Sequence, residues 1–340
     1  MIPLSEFTYE LPQHAIATVS VEPRDSAKLL VSRSVEEVVE STIASLQSFL
    51  APGDLVVVNN TKVLPARIPI VRTSGGRGEV FLLHRIDDGL WNALVKPSAK
   101  IPIGEKVLTE IDVNRAECKI EIGEDNGEGH RVIRFLDANE HDVIHAAGRA
   151  PLPPYLGDVD IPLDRYQTMF ARDEESVAAP TAGLHFTPGV KESLQSSGIE
   201  INEVTLHVGV GTFRPIMTDN IEDHVMHSER YDVPANVWEN IRATKQKGGR
   251  IVAVGTTSLR TLESVAQTNQ LSGDTNLFCY GDFPFQVADL LLTNFHQPQS
   301  SLLVLLDSFI GPRWRELYAY ALSNDFRFLS FGDAMLVAKH

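Results

Sequence analysis

The sequence predicts an α/β fold: a mainly parallel sheet flanked by helices in a main domain, with a small antiparallel β-barrel inserted into it. Three observations carry that prediction. Helix and strand patterns alternate through the second half of the chain, the rhythm of parallel strands joined by crossover helices. Between Ala66 and Leu136, six short strand-like runs succeed one another with no helical period between them. A length of 340 residues, 43% hydrophobic and 22% charged, suits a globular chain large enough for two domains. The pattern places the main α/β domain at 1–64 plus 149–340 and the inserted barrel at 65–148.

Met1 to Leu30 is short and extended, broken by Pro3, Pro12 and Pro23. Ser34 with Glu37 reads as the capping box of a helix running to Leu50, stopped by Pro52-Gly53. Asp54–Val58 reads as a buried strand, closed by the polar turn Asn59-Asn60-Thr61-Lys62. Open α/β sheets place ligand contacts at such strand ends, although asparagine is also a common turn former. The six barrel runs are Ile68–Arg72, Glu79–Arg85, Leu90–Val95, Lys106–Glu110, Cys118–Ile122 and Arg131–Leu136. Gly75-Gly76, Asp87-Asp88-Gly89 and Asn126-Gly127 punctuate them. The proline-rich Pro151-Leu-Pro-Pro-Tyr155 marks the return to the main domain.

Beyond it, Thr187 before Pro188 reads as a capped helix start and Gly198 as its end. Ile199–Leu206 is a strand running to His207. A helix from Asn236, with Glu239 in capping-box position, ends at Gly248-Gly249. Arg250–Val254 is a strand, and Gly255-Thr256-Thr257-Ser258 leads into a helix carrying Arg260. Phe278–Tyr280 and Ser301–Leu306 read as strands, Trp314–Leu322 as the last helix, and Phe326–Val337 as closing apolar sheet.

A formal charge of −15 argues against broad nonspecific attraction to nucleic acid. It leaves room for a local basic surface, because screening confines each charge to about 8 Å. Arg24, Lys28, Arg33, Lys62, Arg67, Lys96 and Lys100 offer one in the N-terminal third, or are ordinary surface charges. Cys118 and Cys279 stand far apart with no C-x-x-C, which points to neither a disulfide framework nor a cysteine zinc cage, and to a reducing compartment. The N-terminus lacks signal-peptide features and no run approaches the roughly 20 apolar residues of a membrane span, so the expectation is a cytoplasmic protein.

Chemistry concentrates between Ser176 and Thr212. Small residues around His185 and His207 allow close backbone approach, and imidazoles change protonation state near neutral pH. Either histidine read alone is equally well a hydrogen-bonded core residue. Gly209-x-Gly211 lacks the third glycine of a dinucleotide fingerprint, and Pro215 follows at once. Gly255-Thr-Thr-Ser258 suits an anion held at a helix start but has no Walker lysine; its plain alternative is a hydroxyl-capped helix. His224, His227 and Glu229 are potential metal ligands without an H-E-x-x-H pattern.

Several of these strings, in this order, resemble the S-adenosylmethionine:tRNA ribosyltransferase-isomerase family of queuosine biosynthesis. They are Asn59-Asn-Thr-Lys-Val-Leu-Pro-Ala-Arg67, Pro151 to Tyr155, Ala178 to Thr187, Thr205 to Pro215, Gly255 to Glu263 and Leu292-Thr-Asn-Phe-His296. The likeness runs from Phe7-Thr-Tyr-Glu-Leu-Pro12 to Phe331-Gly-Asp-Ala-Met-Leu336. Departures are Glu175 where the family usually has glycine, Gln286 where it has lysine, and Gln297 where it has leucine.

The resemblance implies an α/β domain with an inserted barrel, acting as a monomer without metal or resident cofactor. S-adenosylmethionine is consumed as a substrate. Its ribosyl part is transferred to 7-aminomethyl-7-deazaguanine at the wobble position of a tRNA anticodon stem-loop and isomerised, giving epoxyqueuosine-tRNA, adenine and methionine. The positive sulfur acidifies C5′, so a base near neutral pKa is needed, together with an acid for departing adenine. The expected proton-transfer residues are His185, His207, His227 and Glu229. The expected substrate contacts are Asn59, Asn60, Thr61, Arg67, Thr181, Gly183, Gly209, Gly211, Thr212, Thr256, Thr257, Ser258, Arg260, Asn294 and His296. Competing expectations are a noncatalytic or redirected RNA-binding relative, and a metal-dependent hydrolase built on His224, His227 and Glu229.

Overall fold

Runs such as Leu55-Val-Val-Val and Ile251-Val-Ala-Val have no polar face to turn to solvent, so they belong at the centre of a sheet covered on both sides. The computed structural model describes residues 1–34, 36–110, 118–127, 129–136, 139–157, 159, 161–209, 211 and 215–340. In chain order the strands are β1 (Lys28–Ser32), β2 (Val39–Thr42), β3 (Leu55–Asn59), β4 (Thr61–Val63), β5 (Arg67–Val71), β6 (Arg77–Asp87), β7 (Leu90–Lys96), β8 (Lys106–Thr109) and β9 (Lys119–Asp125). They continue as β10 (His130–Phe135), β11 (Asp173–Ser176), β12 (Glu200–Leu206), β13 (Glu229–Asp232), β14 (Ile251–Val254), β15 (Ser272–Thr275), β16 (Leu290–Asn294) and β17 (Ala334–Ala338). The α-helices are α1 (Glu140–Ala147), α2 (Pro188–Ser196), α3 (Ala235–Gln246), α4 (Gly255–Thr268), α5 (Ser301–Ile310) and α6 (Trp314–Ser323).

The chain divides into two compact units: Met1–Thr61, Thr168–Asp173 and Pro180–His340 form the first, Lys62–Gln167 and Glu174–Ala179 the second. The first holds a nine-stranded sheet in the order β15-β13-β12-β3-β14-β16-β17-β1-β2. Its centre, β12-β3-β14-β16, is parallel throughout. The flanking pairs β12–β13, β13–β15, β16–β17 and β1–β2 are antiparallel, so the sheet as a whole is mixed. Every residue of β3, β14 and β16 is buried. Val56, Val58, Val252, Val254, Leu290 and Leu292 form one core with Val190 and Leu194 of α2. Thr187 caps α2 as the sequence suggests, its Oγ1 accepting from Val190 N at 3.3 Å.

The second unit contains a closed antiparallel barrel, β10-β7-β6-β5-β8-β9. Its six strands coincide with the six runs legible in the sequence. Alternating burial along β5 and β7 sends every other side chain inward, as a small barrel requires.

Five readings differ from expectation. Among the described residues no α-helix spans Ser34 to Leu50: β2 pairs with β1, and a 3-10 helix covers Ile43–Phe49. The Glu37 carboxylate turns back on Arg33, accepting from its N, Nε and Nη2 at 2.8, 3.0 and 2.6 Å, instead of capping a helix. Ser301–Leu306 is not a strand but the first part of α5, capped by Ser300. Phe278–Tyr280 is irregular, and the closing sheet narrows to β17, with Phe328 making a single bridge to Ile16. Helix α3 starts after Pro234 without a side-chain cap, so Glu239 closes no capping box there.

Candidate active site

The parallel centre of the sheet delivers its polar residues to one edge, because β12, β3, β14 and β16 all end there: His207, Asn59, Gly255 and Asn294 follow or close these strands. This is the edge at which open α/β sheets bind ligands.

Asn59 is a clamp between neighbours. Its Nδ2 donates to Leu206 O at 3.0 Å, and its Oδ1 accepts from Leu206 N and Thr61 N at 3.2 and 3.0 Å. Asn60 Oδ1 accepts from Thr205 Oγ1 at 2.8 Å, a second tie between the same strand ends. These ties fix the chain leaving β12, and the His207 ring sits half-buried with Nδ1 3.5 Å from Thr61 Oγ1.

Glu229, at the start of β13, is buried and accepts from Gly209 N at 2.9 Å. Its other oxygen pairs with Arg260 Nη1 from α4, both side chains about 5% exposed. Arg260 Nε donates to Leu277 O at 3.0 Å. Gly211 has no side chain because the His227 ring occupies that space; a Cβ would collide with it. The His227 side chain is otherwise exposed. Gly209 and Gly211 thus meet Glu229 and His227, and Glu229 in turn holds Arg260. Thr212, expected among the substrate contacts, lies outside the described residues.

Helix α4 opens directly from β14, and Gly255 adopts φ +82°, a conformation that favours glycine. Its N-cap is Val254, with no side-chain cap bond, so the hydroxyls of Thr256, Thr257 and Ser258 do not cap it. Thr257 Oγ1, Ser258 Oγ and Arg260 Nη2 are buried and have no hydrogen-bond partner among the described residues. Buried polar atoms nearly always have partners. These three groups lie within one helical turn, beside a helix N-terminus, where unpaired backbone N–H groups also favour an acceptor.

A second neighbourhood adjoins at Gly255, where an added Cβ would sit 3.5 Å from Ala182 Cβ. Thr181 Oγ1 donates to Asn294 Oδ1 at 2.9 Å, and Asn294 Nδ2 lies 3.1 Å from His185 Nε2. An amide donor at Nε2 leaves the His185 proton on Nδ1. Burial, reinforced by the charges of Arg327 and Arg24, lowers His185 to about 4. It is neutral at pH 7, contrary to the expectation of an imidazole titrating near neutrality. Gly183 serves packing, since a Cβ there would press on Thr168.

His296 is a core histidine. Its Nε2 bonds Thr293 Oγ1 at 3.0 Å, its backbone is held by Tyr9 and Tyr318, and burial lowers it to about 3. Arg67 belongs to the second unit and pairs with Glu79 at 2.9 Å. His224, His227 and Glu229 do not converge on a common point within ligand reach. His224 instead packs edge-on against Phe278, and Glu229 is committed to Arg260. The metal-hydrolase reading falls with that geometry.

Two contributors escaped the sequence reading. Asp333 accepts Asn294 Nδ2 through its carbonyl at 3.4 Å, while its carboxylate takes Lys28 N and Arg327 N. It lies in the Phe331–Leu336 string, which was the available signal. Glu263, fully buried, accepts the backbone N–H groups of Gln286, Val287 and Ala288 and so fixes that loop. Lys245 of α3 brings its ammonium 2.8 Å from the Gln286 carbonyl, so this loop keeps a cation although position 286 itself is uncharged.

Polar and ionic groups converging at the carboxyl edge of parallel strands, in a chain that also carries a closed six-stranded barrel, are the arrangement of an α/β enzyme. The chain belongs to the queuosine biosynthesis protein family, which matches residues 4–337. It is 44% identical over 339 residues to an S-adenosylmethionine:tRNA ribosyltransferase-isomerase of Thermotoga maritima, covering 98% of this chain and 99% of that one. The protein of that name from Moorella thermoacetica is 42% identical over 343 residues, with the same coverage. A crystal structure of S-adenosylmethionine tRNA ribosyltransferase from Thermotoga maritima superimposes with a TM-score of 0.56 and 34% identity, covering 98% of this chain and 99% of that one. Among the described residues no helix is long and apolar enough to cross a membrane.

Proposed function

We propose that this chain is an S-adenosylmethionine:tRNA ribosyltransferase-isomerase. It moves the ribosyl part of S-adenosylmethionine onto 7-aminomethyl-7-deazaguanine at the wobble position of a tRNA anticodon stem-loop and isomerises it, releasing adenine and methionine. It acts in the cytoplasm as a monomer and consumes the sulfonium nucleoside as substrate, with no resident cofactor. Full-length identity above 40% to relatives of that name supports the reaction. The observation that carries the placement of the site is the orphan trio Thr257 Oγ1, Ser258 Oγ and Arg260 Nη2.

In this reading the methionine carboxylate supplies the missing acceptors at the α4 N-terminus, where the helix dipole also favours an anion. Glu229 neutralises Arg260 and aims it, leaving Nη2 to donate. His207 and His227 make the proton transfers, one taking a C5′ proton acidified by the sulfonium and the other serving adenine departure. Their rings are half-buried and exposed respectively, which leaves both open to proton exchange with solvent. His185, neutral and bound through Nε2 to Asn294, holds that amide in position.

The test is chromatographic: incubate the protein with S-adenosylmethionine and a tRNA carrying the wobble aminomethyl base, and follow adenine. Release that requires the modified tRNA is expected, and His207→Ala or His227→Ala should slow it by on the order of 10²-fold. Tight tRNA binding without adenine release would replace this reading with a noncatalytic one.

A further inference from the structure

Helix α1 in the second unit carries His141 and His145 at i and i+4, which places them on one face. Their ring centroids are 4.3 Å apart. Glu174 of β11 belongs to the same unit. Its Oε2 lies 2.8 Å from His145 Nε2 and 3.7 Å from His141 Nε2. The three ligand atoms all fall within 4.8 Å of one another, the sole such set among the described residues.

We propose that His141, His145 and Glu174 bind a divalent transition-metal ion, zinc above all, with water in the fourth position. A tetrahedral zinc with bonds of about 2.0–2.1 Å sets its ligand atoms about 3.3 Å apart. The two histidine–carboxylate separations, 2.8 and 3.7 Å, straddle that value, and the third separation is within 4.8 Å, so small side-chain shifts seat the ion. Two imidazoles with one carboxylate favour zinc over magnesium or calcium, which prefer all-oxygen shells.

The surroundings fit a ligand set. Lys62 Nζ takes Glu174 Oε1 at 2.9 Å and leaves Oε2 facing the imidazoles. Asp142 Oδ1 stands 3.9 Å from His141 Nδ1, the nitrogen that zinc leaves free. The ion ties α1 to β11, and its role is structural within this unit.

Calorimetric titration of the metal-free, full-length protein with Zn²⁺ tests the proposal. One saturable site per chain is expected, weakened at least about tenfold by His141→Ala, by His145→Ala and by Glu174→Gln. His84→Ala, an exposed barrel histidine outside the cluster, should leave the binding unchanged. Co²⁺ in place of Zn²⁺ should give the intense visible absorption of a four-coordinate site in the parent and lose it in both histidine variants. His141 and His145 reach solvent, so folded variants are expected, and circular dichroism verifies them. Failure to find a saturable site, or Zn²⁺ and Co²⁺ signals that persist in the folded histidine variants, would overturn the proposal.

Discussion

Ser258→Ala and Thr257→Val separate a binding role from a folding one. Each removes a hydroxyl that is buried and unpaired among the described residues. An unpaired buried hydroxyl carries a desolvation cost of about 1–3 kcal/mol, and valine keeps the shape of threonine. Deleting the group therefore leaves stability unchanged or raises it by up to about 1–2 kcal/mol, once the small volume lost in the serine variant is subtracted. Thr261→Val is the control: its Oγ1 donates to Thr257 O at 2.9 Å, so that variant forfeits a made bond and loses about 1 kcal/mol. Function moves the other way. A hydroxyl bonded to a carboxylate is worth about 1.5–3 kcal/mol, which is roughly a tenfold to hundredfold fall in kcat/KM for S-adenosylmethionine. Denaturant melts and steady-state adenine release measure the two quantities on the same samples. A Ser258→Ala protein destabilised by more than about 1 kcal/mol with unchanged kcat/KM would show that the hydroxyl serves packing, and the carboxylate assignment would fail.

Two further substitutions probe the charges. Glu229→Gln keeps an acceptor for Gly209 N but strands the buried Arg260 guanidinium; breaking such a pair costs about 3–5 kcal/mol. Arg260→Met added to it should recover part of that loss, and strictly additive losses in denaturant melts would contradict a coupled pair. His185→Gln probes acid stability. His185 is lowered from 6.5 to about 4 on folding, so the unfolded chain takes the proton first. The stabilisation is complete above the higher value and drains away as pH falls toward the lower one. About 3 kcal/mol of pH-dependent stability rests on it at 1.36 kcal/mol per unit. Stability measured against pH should be flatter between those limits in the variant, and an unchanged acid limb would contradict the burial argument.

Where the sequence reading of the fold succeeded, local pattern and tertiary demand agreed. The barrel runs alternate because one face of each strand is inside, and turn residues separate them. The two largest misreadings come from segments where pattern is ambiguous. Ser301–Leu306 is apolar nearly all round because α5 is buried on most sides, and such a run does not distinguish a helix from a strand. Its cap, Ser300 Oγ accepting from Leu303 N at 3.3 Å, was the one local clue. In the Ser34 segment a real capping-box string was outbid by an ion pair, since Arg33 precedes it and draws the Glu37 carboxylate. Propensity yielded there to a neighbour one residue outside the motif.

The site divides along a different line. Sequence marks imidazoles as equal, and solvation makes them unequal. His185 and His296 sit where charge is costly and are held neutral, while His207 is half-buried and His227 is exposed. No residue string encodes that distinction, since it depends on what other strands bring to the same edge. The Gly255-Thr-Thr-Ser258 turn teaches the converse. Its local reading as a hydroxyl cap is chemically sound, yet Val254 holds the cap position and, among the described residues, the Thr257 and Ser258 hydroxyls stay unsatisfied. Unmade bonds at the end of the most buried strands become visible only once the partners of every neighbouring group are known, which is why the proposed carboxylate site was not legible from the turn's residues alone.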